Sequence, residues 1–128
     1  MSLALEDIKP SILLAFGQRS SVRRIQDEVA SFYGVPAEYM RLPDRVGTRE
    51  KWVSHPRQVA MFFARTLTHL PLTEIGRRFG GRDHTTVIHA KRVIEKRASD
   101  DPFLEMELEI LRDRLTENVN PHPVGLVA

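Results

Sequence analysis

Asp83, His84, Thr85 and Thr86 form a run of short hydrogen-bonding side chains, with Arg82 just before them and His89, Lys91, Arg92, Lys96 and Arg97 following. These types suit the base edges of duplex DNA. Aspartate accepts from cytosine N4, threonine sets its methyl against a thymine methyl or uses its hydroxyl, and histidine donates to a purine acceptor. Each also has a plainer role. Asp83 can cap a helix start, and Thr86 can be a helix-start hydroxyl or a phosphate ligand. The free N–H groups of a helix start, with Arg82 beside them, favour a phosphate through the helix dipole and through direct bonds. Catalysis fits poorly. His84 and His89 are five residues apart and do not share a helix face, and no carboxylate pair or nucleophile is arranged around them. His55, His69 and His122 are scattered, and the chain has no cysteine, which removes thiolate metal sites and thiol catalysis. The chain reads as a non-enzyme without cofactor or metal.

The elements that must hold this run are all helical. Apolar residues recur at helical spacing, with no alternating β-branched run and no Asn-Gly hairpin signal, so the spacing predicts an all-α domain. Leu72 to Phe79 forms a short helix with Leu72, Ile75 and Phe79 on one face. Gly80 to Arg82 forms the turn, and a second helix runs from Asp83 to Ala98. A short amphipathic helix, a glycine-containing turn and a polar-headed second helix make a helix-turn-helix. In that motif the head of the second helix enters the major groove. At 100° per residue, Val87, Ala90 and Ile94 share a narrow inner arc, while Thr85, His89, Arg92 and Lys96 lie opposite.

Upstream, Ser20 or Ser21 can cap a helix carrying Val22, Ile25, Val29 and Phe32, with Gly34 to stop it. A helical turn follows from Pro36 to Arg41, and residues 42–53 read as a loop carrying Arg45, Arg49 and Lys51. Ser54 can cap the next helix with Pro56 near its first position, and Val59, Phe62, Phe63, Thr66, Leu67 and Leu70 form its stripe. A last helix is expected from Pro102 to about Asn118. It carries two stripes: Leu104, Leu108, Leu111 and Leu115, and Phe103, Met106 and Ile110. This divides the chain into a 1–19 extension with a short helix around Leu5 to Phe16, a 20–118 domain and a 119–128 tail.

The formal net charge is only +2, but Arg45 to Arg97 holds twelve basic residues against four acidic ones, a local +8. Solvated helix faces would produce such a pattern, and so would a surface reserved for a polyanion. The charge alone does not choose among DNA, RNA and an acidic protein. No apolar run approaches the ~20 residues that span a bilayer, and the acidic start is unlike a signal peptide, so the reading is cytoplasmic and nucleoid-associated, with no membrane partner.

The stretch from Gly80 to Ala90, Gly80-Gly81-Arg82-Asp83-His84-Thr85-Thr86-Val87-Ile88-His89-Ala90, resembles the signature of the C-terminal DNA-binding domain of DnaA, the bacterial chromosomal replication initiator. The likeness extends through Leu72 to Gly76, the helix start Pro56 to Met61, and Val22 to Tyr33. It covers roughly Ser21 to Leu115. The resemblance implies base contacts by Asp83, His84 and Thr85, and by Arg49 entering the minor groove from the loop. It further implies backbone contacts by Lys51, Arg57, Gln58, Arg65, Leu72, Thr73, Arg82, Thr86 and His89.

The chain departs from the family's pattern in that loop. Glu50 interrupts its basic run and His55 stands where a basic residue is common, so one or two lost contacts should flatten the salt dependence by ~1 to 2 units of slope. No Gly-x-x-x-x-Gly-Lys-Ser/Thr motif is present, so the chain reads as a stand-alone binder lacking the AAA+ module. The expected function is sequence-specific binding of double-stranded DNA at DnaA-box-like sites, regulating replication initiation or transcription by occupying them. The alternative is an adaptor that recruits the replication initiator or another protein through its terminal helices.

Overall fold

A computed structural model describes residues 10–43 and 51–117, with side chains described for residues 22–43 and 52–116. Among the described residues, five α-helices and one 3-10 helix follow in order: α1 Pro10–Tyr33, the 3-10 helix Ala37–Arg41, α2 Lys51–Leu67, α3 Leu72–Arg78, α4 His84–Asp100 and α5 Pro102–Glu117. No strand occurs among the described residues, as the periodicity predicts.

Two helix starts differ from the expectation. α1 begins at Pro10, so Ser20 and Ser21 are interior positions and not caps. Nothing from Ser11 to Ser21 breaks a helix strongly, since Gly17 costs only about 1 kcal/mol and no proline intervenes. α2 begins at Lys51, three residues before the expected cap at Ser54, and Pro56 lies inside it. An interior proline costs ~3 kcal/mol. Val53 and Pro56 are both buried, and the burial of a valine alone returns ~1.5–3 kcal/mol. Tertiary packing therefore outweighs the local signal.

The end of α1 is as expected. Gly34 adopts φ +72, the left-handed conformation that suits glycine. The Val35 N–H reaches back to the Ala30 carbonyl at 3.0 Å, closing the helix as a Schellman motif does.

α2 is the axis of the core. Val59 to Ala64 are six consecutive buried residues, so this helix is covered on nearly every side and not along one stripe. Thr66, expected within the stripe, is exposed and its hydroxyl donates to the Phe62 carbonyl at 2.9 Å. α1 supplies Val22, Ile25 and Val29, α3 supplies Ile75, and α4 supplies Val87, Ala90 and Ile94. One stripe of α5, Leu104, Leu108, Leu111 and Leu115, closes the remaining side. Met40 of the 3-10 helix is fully buried in the same core. The inner arc of α4 packs on this core, which leaves its opposite arc to solvent.

Candidate nucleic-acid interface

α3, the turn and α4 form the helix-turn-helix, and its geometry depends on two close backbone approaches. The Arg82 N–H donates to the Gly76 carbonyl at 2.8 Å. A Cβ on Gly76 would press into the Arg82 carbonyl oxygen and come within 3.1 Å of its carbon. Gly80 has φ +84, and a Cβ there would lie 2.7 Å from the Leu42 carbonyl carbon. Gly81 has φ +75 but opens onto empty space. The turn is tight because glycine backbones admit neighbouring carbonyls.

Asp83 caps α4, accepting from the Thr85 N–H at 3.1 Å and from the Thr85 hydroxyl at 2.5 Å. The hydrogen bonds from Thr85 hold the Asp83 carboxyl below its ordinary range, so it is an ionised acceptor at neutral pH. His84 Nδ1 lies 3.5 Å from the same carboxylate. Capping and base reading are compatible here, because a carboxylate offers about four acceptor sites. Thr85 commits its hydroxyl hydrogen to Asp83 and keeps its methyl.

Asp83, His84, Thr85, Thr86 and His89 are all exposed on the first two turns of α4 or at its cap. Arg65 of α2 and Leu72 of α3 border one groove together with Ile88, Lys91 and Arg92 of α4, so they stand beside this face. Thr73 follows Leu72 in the first turn of α3 and is exposed. Arg57 is half-buried. Gln58 is elsewhere: its side-chain oxygen accepts from Arg97 at 3.4 Å, at the far end of α4 from Asp83. Lys51 is the first residue of α2, and nothing further is described of it. Arg49 and Arg45 lie outside the described residues.

Arg82, a phosphate contact by the resemblance, also has a structural role. Its guanidinium turns inward to the Leu42 carbonyl, at 3.1 Å, and to the Phe79 carbonyl. It braces the turn against the segment after the 3-10 helix.

Two supporting groups, Gln26 and Arg41, escape sequence reasoning. Gln26 is buried, donates to the Arg78 carbonyl at 3.1 Å and accepts from Arg41 at 2.7 Å. Arg41 also pairs with Asp27 at 2.7 Å. These bonds tie α1 and the 3-10 helix to the end of α3, which fixes where the turn begins. The available signal was position, since Gln26 stands four residues from both Val22 and Ala30 on the buried face. Glu74, whose sequence reading is an ordinary surface acid or a local ion pair, makes the pair: it accepts from Arg77 and Arg78 at 2.6 Å each. Those bonds, Arg77 first, pull its carboxyl from 4.5 down to about 2. No group of three or more metal-ligating side chains occurs among the described residues.

Comparison with known proteins agrees with this geometry. The bacterial DnaA protein helix-turn-helix family matches residues 22–94. The chromosomal replication initiator protein DnaA of Cereibacter sphaeroides is 42% identical over 108 residues, which is 84% of this chain and 23% of that protein. The DnaA of Bartonella quintana is 48% identical over 100 residues, 78% of this chain and 19% of that protein. The DnaA of Nitrobacter hamburgensis is 42% identical over 117 residues, 91% of this chain and 24% of that protein. The chain thus spans about a quarter of the length of these curated relatives.

Proposed function

Because the chain belongs to the bacterial DnaA helix-turn-helix family, a family of DNA-binding domains, we propose that it binds double-stranded DNA sequence-specifically at DnaA-box-like sites. By occupying such sites it would regulate replication initiation or transcription. The observation that carries this reading is the head of α4. A capped, exposed helix start presents an ionised acceptor at Asp83, a ring at His84 and a methyl at Thr85, with its opposite arc buried in the core.

In this reading Asp83, His84 and Thr85 face base edges in the major groove, and Arg49 supplies a minor-groove contact. Lys51, Arg57, Gln58, Arg65, Thr86, His89 and the start of α3 at Leu72 and Thr73 meet the phosphates. Arg82 is in this reading also a phosphate contact, while its Nη1 braces the turn against the Leu42 and Phe79 carbonyls.

Fluorescence anisotropy with a DnaA-box duplex and a scrambled duplex tests this. Thr85→Ala or His84→Ala should reduce the preference for the box by ~1–3 kcal/mol and leave scrambled-DNA affinity nearly intact. Arg57→Ala should weaken both duplexes alike. Equal losses on both duplexes for all three variants would remove base reading by α4.

A further inference from the structure

The outer face of α5 has no partner among the described residues. Phe103, Met106 and Ile110 are 72%, 51% and 40% exposed, and their i, i+3, i+7 spacing sets them in one stripe. An aligned trio of this kind differs from the scattered apolar residues of ordinary surfaces.

Phe103 belongs to a second feature as well. It lines a groove of about 470 Å³ with Tyr33, His55, Asp100, Asp101 and Glu107, into which Arg97 also projects. Three carboxylates and one guanidinium therefore line it. That guanidinium is engaged with His55 Nδ1 at 3.1 Å and with Gln58. Glu107 accepts from the Tyr33 hydroxyl at 2.8 Å through one oxygen. One oxygen of Asp101 accepts from the Phe103 N–H at 3.0 Å. Asp100 lies 3.8 Å from Lys96. Each carboxylate keeps acceptor capacity beyond these bonds. On the helix wheel, Glu109 and Asp113 border the stripe on one side and Glu107 on the other.

We infer that the outer face of α5 and the groove at its start form one docking surface for a basic amphipathic segment of another polypeptide. The apolar side of that segment covers Phe103, Met106 and Ile110. A lysine or arginine at its end enters the groove, where Asp100, Asp101 and Glu107 supply charge and the rings of Tyr33 and Phe103 supply π faces. Residues 100–117 hold seven acids against two arginines. Like charge therefore opposes a second α5 packing on this one, and it opposes nucleic acid. The methionine in the stripe adapts to more than one apolar shape. This surface is separate from the head of α4 and goes beyond the DNA-binding reading.

Panning a random peptide library against the full chain tests the inference, with Phe103→Glu/Met106→Glu/Ile110→Glu as counter-selection. Retained peptides should combine apolar residues at helical spacing with lysine or arginine. They should bind that variant and a second one, Asp100→Asn/Asp101→Asn/Glu107→Gln, at least about tenfold more weakly, with binding to the wild type weakening as salt rises. Both variants alter exposed or half-exposed positions. Should the triple glutamate variant lose its helical circular dichroism, Phe103→Ala and Ile110→Ala singly take its place. No enrichment over the variant, or enrichment of acidic peptides, would overturn the inference. So would sedimentation showing self-association of the wild type that Ile110→Glu abolishes, since a second copy would then own the surface.

Discussion

At the scale of single residues, the head of α4 carries the helix cap and, in the proposed reading, the recognition site on the same few residues. Asp83 caps the helix with one oxygen, Oδ2, while Oδ1 lies 3.5 Å from His84 Nδ1 and is, in the proposed reading, the oxygen turned to a base. Glu74 shows the acid side of the same chemistry. Its folded carboxyl, held at about 2 by Arg77 and Arg78, lies below its ordinary 4.5. A depressed carboxyl contributes stability above the ordinary value, and the contribution fades as pH falls toward the folded one. Urea denaturation should therefore find Glu74→Gln modestly less stable than wild type at pH 7. The gap should close between pH 4.5 and about 2. A gap that persists unchanged at the acid end would mean that the paired charge is not its source. The exposure of Asp83 to Thr86 was legible in the sequence, because short polar side chains after a glycine turn announce a helix start. The inward turn of Arg82 was not, because it depends on carbonyls at Leu42 and Phe79 that only the folded chain brings to it.

At the scale of elements, the glycines of the helix-turn-helix differ in what they permit. Gly76 and Gly81 both flank the turn, but only Gly76 has a carbonyl where a Cβ would be. Gly76→Ala should destabilise the domain by about 2–3 kcal/mol or more, since backbone must move. Gly81→Ala should cost only the ~1–2 kcal/mol of a left-handed alanine. Chemical denaturation of the two variants separates them, and equal costs would contradict the close packing of α3 on α4. Helix order, the Leu72 start and the inner arc Val87, Ala90 and Ile94 were readable from 3.6-residue periodicity. That α1 already spans residues 10–20 and α2 residues 51–53 was not. Pro56 resembles a first-turn proline, and only the burial of Val53 shows that the helix begins earlier. Gln26 escaped for a related reason: its partners are the carbonyl of Arg78 and the side chain of Arg41, on other elements.

At the scale of the whole molecule, charge is sorted along the chain. The net +8 of Arg45 to Arg97 includes the helix-turn-helix, and the acids concentrate on and around α5. That sorting was visible in the sequence. Which apolar stripe of α5 is inner was not, because both have helical spacing and only packing against α1 and α4 chooses the leucines. A phosphate-binding surface has a measurable consequence. The slope of log affinity against log salt should flatten by about 0.9 for each of Arg57→Ala and Arg65→Ala. An unchanged slope would remove that residue from the phosphate contacts.

The central claim is that the head of α4 reads a particular base sequence, and selection of bound duplexes from a random pool tests it most directly. The wild-type chain should return a DnaA-box-like consensus, and Thr85→Ala should lose information at one or two adjacent positions of it. An unrelated consensus, or no enrichment at all, would contradict the claim.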